Sequence, residues 1–184
     1  MNAKKLSDTT VPSTTDSNKL AQRYDSWAEN ARSRATWERS VQRAAAKTLR
    51  RHFAENDVTI LGYGECAYKI KQAMSEKEFT QVEAIETEEG LSAIIGKPYD
   101  AIVCVGTLIN GETDPSVFEK MIRVAKPGGL IFFSLSSKPR NNQQYLNKIY
   151  AMETEGRWKP VGSFGEDHLE DAGEPATLYL YQRS

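Results

Sequence analysis

The sequence predicts an α/β fold: a mostly parallel sheet, closed at its C-terminal end by an antiparallel hairpin and preceded by N-terminal helices. From residue 57 onward, short apolar segments rich in β-formers alternate with helical ones, the pattern of parallel strands joined by crossover helices. The segment Tyr-Asp-Ala-Ile-Val-Cys-Val-Gly at 99–106 is apolar enough to be buried on both faces and belongs at the centre of such a sheet. The last two apolar segments, 158–164 and 176–182, are separated by an acidic loop without helical periodicity, which suits antiparallel pairing. With 184 residues there is room for one domain. The reading is a disordered tail over 1–17, rich in Ser, Thr and Asp, and a single domain over 18–184, with helices in 18–54 and the α/β core in 55–184.

Each element has its own signal. Residues 36–53 read as an amphipathic helix: Arg39, Arg43, Lys47 and Arg51 recur every fourth residue, while Val41, Ala45, Leu49 and Phe53 face elsewhere. Residues 58–61 form a short strand ending in Gly62-Tyr63-Gly64, followed by a helix over 67–74. A second strand covers 81–86, and a short helix over 88–95 carries its acids at the N-terminal end, where the helix dipole favours them. After the central strand, Asp114 caps a helix with Pro115 at its first position, running to Val124. Lys126-Pro127-Gly128-Gly129 turns the chain into a strand over 130–135, and 141–155 supplies a further helix.

Composition narrows the function classes. An apolar fraction of 39% with 27% charged residues suits a soluble globular chain, and no apolar run approaches the roughly 20 residues of a membrane-spanning helix. Cys66 and Cys104 are too few for a disulfide scaffold and point to a reducing compartment, cytoplasm or nucleus. Two Cys and two His lie too far apart for metal-ligand spacing, so no metal site is expected. Residues 18–52 hold nine Lys or Arg against three acids, whereas the remainder of the core is acidic. The basic helix 36–53 therefore suits an anionic partner such as RNA, a phosphorylated substrate or a membrane surface, or else a solvated face that neutralises the acidic body.

The segment 99–108 (Tyr-Asp-Ala-Ile-Val-Cys-Val-Gly-Thr-Leu) and the segment 124–134 (Val-Ala-Lys-Pro-Gly-Gly-Leu-Ile-Phe-Phe-Ser), with the terminal strand pair, resemble strands four and five of class I, Rossmann-like S-adenosylmethionine (SAM) methyltransferases. Tyr24-Asp25-Ser26-Trp27-Ala28 resembles the N-terminal signature of the methyltransferase-like family first named from the Williams–Beuren syndrome region, and 142–158 is similar to that family's segment after strand five. The resemblance implies SAM as cofactor, with Tyr24 and Trp27 among the residues around it. Gly62 and Gly64 would let the backbone approach the cofactor without a Cβ in the way, and Glu86 suits the two ribose hydroxyls because a carboxylate only accepts hydrogen bonds. Gly106 lies beside the cofactor at the carboxyl edge where open sheets bind ligands, and Thr107, Asn110 and Gly111 form the substrate rim. The implied reaction is methyl transfer to a small-molecule or protein substrate. No catalytic base is assigned: His52 lies in the basic helix, and His168 in the acidic loop is a weaker proton-carrier candidate.

The sequence also departs from that pattern. Ile60 stands where the family's glycine motif has an Asp, Cys66 where it has a third glycine, and Ala31-Arg32 where a second Tyr-Asp is usual. Between Glu86 and Tyr99 there is too little chain for the βαβ unit of about 30 residues that would hold the family's third strand. The expectation is a sheet lacking that strand. Either the helix 88–95 changes faces or the sheet is rearranged, and the new edge favours a homodimer or a cover of N-terminal helices. Two other readings stand beside the enzyme: a catalytically inactive scaffold serving as an interaction or dimerisation module, and a nicotinamide-dependent reductase, to which the terminal strand pair does not belong.

Overall fold

A computed structural model describes residue 39 and residues 41–55, 57–165 and 176–184. Helix α1 (41–52) precedes β1 (Thr59–Tyr63), α2 (Ala67–Ser75), β2 (Gln81–Ile85), α3 (Glu88–Ala93), β3 (Tyr99–Cys104), α4 (Val117–Val124), β4 (Ala125–Ser136), α5 (Pro139–Thr154), β5 (Trp158–Gly165) and β6 (Ala176–Arg183). The six strands form one sheet in the order β2-β1-β3-β4-β6-β5. β2, β1, β3 and β4 run parallel, and β6 pairs antiparallel with both β4 and β5. The expected mixed sheet, reduced in strand number, is therefore present. The tail 1–17 and the signature residues Tyr24 and Trp27 lie outside the described residues, as does His168.

The gap after Glu86 is resolved by the short helix changing faces. α2 buries Ala67, Ile70, Ala73 and Met74 in one core layer with Val41, Ala45, Ala46 and Leu49 of α1. Leu91 of α3 lies in the opposite layer with Phe118 and Met121 of α4 and with Tyr145, Ile149 and Met152 of α5. The β1-to-β2 crossover and the β2-to-β3 crossover travel in opposite directions along the sheet, so crossovers of one hand place their helices on opposite faces. α3 thus makes the reversal alone. The reversal of strand order lies between β1 and β3.

The central strands are buried on both faces, as their apolar runs predict. On β4, Leu130 and Phe132 belong to the α1–α2 layer, while Ile131, Phe133 and Leu135 belong to the other. Phe133 is the hub of an aromatic cluster, with ring centroids 5.0 Å from Phe118, 5.4 Å from Tyr179, 5.7 Å from Tyr181 and 5.9 Å from Trp158. These rings fasten the terminal hairpin to β4.

Several element boundaries differ from the sequence expectation: β1 runs on to Tyr63, so Gly62 lies within the strand, and α3 ends at Ala93. Pro115 is not the first helical residue: the Asp114 Oδ1 accepts the Ser116 N–H at 2.8 Å, forming a turn, and α4 begins only at Val117. Residues 126–129 do not precede β4 but lie within it as a bulge, because Tyr99 pairs with Ala125 while Ala101 pairs with Leu130. α5 starts two residues earlier than expected, with Pro139 in its first turn, where a missing N–H costs nothing.

At the amino ends of the strands, Asp100 gathers three donors: Thr59 N at 2.8 Å, Thr59 Oγ1 at 2.7 Å and Lys126 Nζ at 2.7 Å. Partial burial alone would raise its pKa, but the bonds from Lys126 and Thr59 outweigh burial and hold it below the ordinary value. A depressed folded-state pKa stabilises above the unfolded value, and that contribution is lost as pH falls through the folded one. Asp100→Asn is expected to cost about 1–3 kcal/mol at neutral pH. The variant should also lose less stability than the parent between neutral pH and strong acid, which urea denaturation across that range measures.

Candidate functional site

The carboxyl ends of β2, β1 and β3 lie side by side, and their following loops form the candidate site. Tyr63 of β1 pairs with Ile85 of β2, and the Gly64 N–H bonds the Ile85 carbonyl at 2.9 Å, so Glu86 emerges next to the glycine turn. On the other side Gly62 pairs with Val103, which brings the loop after β3 alongside Gly64. Gly62, inside β1, and Gly64, Glu86, Gly106 and Thr107, from the loops after β1, β2 and β3, are therefore brought to one edge of the sheet.

Glu86 is exposed, and among the described residues its carboxylate makes no hydrogen bond or ion pair. The contrast with Glu83 on the same strand is direct: Glu83 is held by Lys97 and by Tyr99 Oη at 2.8 Å, and those bonds lower its pKa. Glu83 is consumed by structure, whereas all acceptor sites of Glu86 remain available.

The glycines of the turn serve the chain's own packing. A Cβ on Gly62 would lie 2.9 Å from the Ala67 carbonyl and 3.1 Å from Ile70, so its small size lets α2 approach β1. Gly64, at φ +95°, would place a Cβ 2.0 Å from Thr107 Oγ1. The converse contact joins the same loops, since Gly106, at φ +88°, leaves room for Cys66 Sγ, 3.1 Å from where its Cβ would stand. Small faces large twice, and the β1 and β3 loops interlock. Cys66, which replaces a glycine of the family pattern, is accommodated by Gly106 rather than excluded. The same interlock places Thr107 and Cys66 in part of the crevice between β1 and β3.

Thr107 has a buried hydroxyl without a hydrogen bond of normal geometry, although it lowers the Cys104 thiol pKa slightly against a larger upward push from burial, which takes that thiol to about 12. Neither cysteine is disulfide-bonded, and both are buried. Cys104 is thus a packing residue and not a nucleophile at neutral pH.

The rim loop is held by residues that sequence reasoning missed. Gly106 N–H bonds Ser134 Oγ at 2.9 Å, and Ser134 is fully buried on β4. Asn141 Nδ2 donates to the Ile109 carbonyl at 3.3 Å, Gln144 Nε2 to the Gly111 carbonyl at 2.6 Å, and Tyr145 Oη to the Thr113 carbonyl at 2.8 Å. Gly111, at φ +75°, would place a Cβ 2.9 Å from the Asn141 carbonyl, so α5 begins directly against it. Of the predicted rim, Gly111 is tied into this framework, Thr107 packs against Gly64, and Asn110 is exposed. The polar run Asn141 to Gln144 is the only sequence trace of that anchoring, and it reads equally well as an ordinary solvated helix start.

No protein-family model matches the sequence. Over 107 residues, 58% of this chain, it is 30% identical to the ubiquinone biosynthesis O-methyltransferase of Pseudomonas putida. That match covers 45% of the relative, so the chain spans about half the length of the curated relatives it matches. Among solved structures, the 1,6-didemethyltoxoflavin-N1-methyltransferase of Burkholderia thailandensis, with bound 1,6-didemethyltoxoflavin and S-adenosylhomocysteine, superposes with a TM-score of 0.57 at 12% identity, covering 97% of this chain and 93% of that one. The chain has the class I methyltransferase fold. The [4+2]-cyclase SpnF superposes on it as well, with a TM-score of 0.53 at 8% identity over 77% of this chain and 80% of its own. The class I methyltransferase fold thus carries more than one chemistry, and the site must argue for the reaction.

Among the described residues no group of His, Cys, Asp and Glu could hold a metal ion, and no helix is long and apolar enough to cross a membrane. His52 Nδ1 lies 3.0 Å from the Thr48 carbonyl on the exposed side of α1, within its own helix.

Proposed function

We propose that the carboxyl edge of β2, β1 and β3 binds SAM and that the chain transfers its methyl group to a small-molecule or protein acceptor. The observation that carries this reading is Glu86, a carboxylate with every acceptor site unused, placed at the end of β2 beside the Gly62–Gly64 turn. When bound, SAM would supply an electrophilic methyl on a sulfonium. Glu86 would accept hydrogen bonds from the two ribose hydroxyls and Gly106 would flank the cofactor, while Gly62 and Gly64, buried against Ile70 and Thr107, would hold the β1 end in position beneath it. Thr107 and Cys66 occupy space between the interlocked loops, so the cofactor would sit on the side of Glu86. Tyr24 and Trp27, through the resemblance to the Williams–Beuren methyltransferase-like family, would complete the site from the N-terminal side.

The protein's own contribution is positioning. Methyl transfer in line with the leaving sulfur needs the acceptor held close and oriented, and no protein nucleophile. Ser134, Asn141, Gln144 and Tyr145 hold the loop of Thr107, Asn110 and Gly111 on a strand and a helix, so the acceptor would meet a fixed rim. The proposal places the protein in the cytoplasm or nucleus, in keeping with two buried, unbridged cysteines. It also includes a homodimer through β2, the end strand of the described sheet, which sedimentation would test.

Calorimetric titration of the full chain with SAM and with its demethylated product tests the assignment. Micromolar binding is expected, weakened about tenfold or more in Glu86→Ala, in line with the loss of charge-assisted hydrogen bonds. Silence at millimolar ligand would favour the inactive scaffold, and an unaffected Glu86→Ala variant would remove Glu86 from the site.

A further inference from the structure

A second cleft lies between α1 and α2, and none of the carboxyl-edge residues lines it. Its volume is about 370 Å³, and Arg39, Gln42, Arg43, Lys69, Gln72 and Glu76 surround it together with Ala73. Among the described residues, three cations face one carboxylate. Arg43 of α1 and Arg39, itself helical and four residues earlier, make no ion pair or hydrogen bond among the described residues. Opposite them, Lys69, Gln72 and Glu76 follow the facing side of α2.

Gln42 separates this cleft from an ordinary basic surface. It is 3% exposed, its side-chain nitrogen is buried without a hydrogen-bond partner, and no bond to its carboxamide exists among the described residues. A leucine there would match the packing of its neighbours Val41, Ala45 and Ala46, all fully buried. A buried amide left unpaired is a cost that a bound oxygen would remove.

We propose that this cleft binds a small sugar phosphate, at a site separate from the methyl-transfer edge. Two guanidinium forks suit a phosphate, whose oxygens they can meet in pairs, and the Gln42 amide supplies a further donor. Glu76, which would repel a bare anion, is an acceptor for the hydroxyls of a sugar, and Gln72 can serve either group. The volume lies in the range of small-ligand pockets and exceeds what a phosphate alone needs. A polynucleotide would instead track cations along the helix, drawing on Lys47 and Arg51, which do not line the cleft.

Titration of the full chain at low salt with ribose 5-phosphate, ribose, inorganic phosphate and a uridine 20-mer tests the proposal. Ribose 5-phosphate should bind more tightly than inorganic phosphate, and ribose alone should not bind. Arg39→Ala/Arg43→Ala should weaken ribose 5-phosphate about tenfold or more, while Lys47→Ala/Arg51→Ala leaves it unchanged. Gln42→Leu should weaken it as well, with a melting temperature equal to or above the parent's, which separates lost recognition from lost folding. No binding of ribose 5-phosphate at millimolar concentration, or binding no tighter than inorganic phosphate, would overturn the assignment. So would tight binding of the 20-mer that both double variants weaken equally.

Discussion

Phe133→Ala should lower unfolding stability by about 3–5 kcal/mol, the range for a fully buried aromatic whose cavity cannot collapse. The site cannot relax easily because the ring is boxed in. Trp158 and Tyr179 stack on it with interplanar angles of 14° and 16°, Phe118 tilts against it at 57°, and the side chain is fully buried. Aromatic pairs add about 0.5–1.5 kcal/mol beyond area burial, so losing one shared ring disturbs several pairs at once. Phe133→Leu, which keeps much of the volume, should cost clearly less. Urea denaturation followed by tryptophan fluorescence checks both, since Trp158 reports directly on the hairpin. Equal losses for alanine and leucine would show that ring stacking, and not filled volume, dominates this layer.

Gly64→Ala should be nearly as damaging, for two separable reasons. The φ of +95° disfavours any side chain, at about 1–2 kcal/mol. The new methyl would also stand 2.0 Å from Thr107 Oγ1, 2.7 Å from its Cγ2 and 2.8 Å from its Cβ, so rotating the threonine does not clear the space. Together these should cost about 3 kcal/mol or more. Adding Thr107→Gly removes the overlap and leaves the backbone strain, so the double variant should recover part of the loss. Thermal denaturation of the four species in this cycle yields the coupling between the β1 and β3 loops. A coupling near zero would show that the two loops do not lean on each other.

The strands were legible because burial on both faces writes itself into apolar runs such as 99–104 and 130–135. The missing strand was legible from chain length alone, and right-handed crossover then restricted the answer to a change of face or a rearrangement. Short-range chemistry misled at 114–116 and 126–129. Asp-Pro can start a helix or a turn, and Gly-Gly can end a strand or bulge one; pairing partners elsewhere in the chain decide. The places of Glu86 after a strand and of the glycines before a helix were legible. The anchoring of the rim was not, because Gln144 meets Gly111 across 33 residues and nothing local marks either as a partner. The roles of Gly62 and Gly64 were equally hidden, since what a missing Cβ makes room for is visible only once the opposing side chain is in place.

The order of the last two strands has a consequence for synthesis. β5 precedes β6 in the chain, yet β6 lies between it and the rest of the sheet. A nascent chain on the ribosome therefore presents Trp158 and its neighbours with no strand to join until β6 has emerged. During that interval the aromatic face of β4 also lacks Tyr179 and Tyr181. Aromatic surface thus stands uncovered between the synthesis of β5 and that of β6, and slowing elongation between the two strands should raise the aggregated fraction.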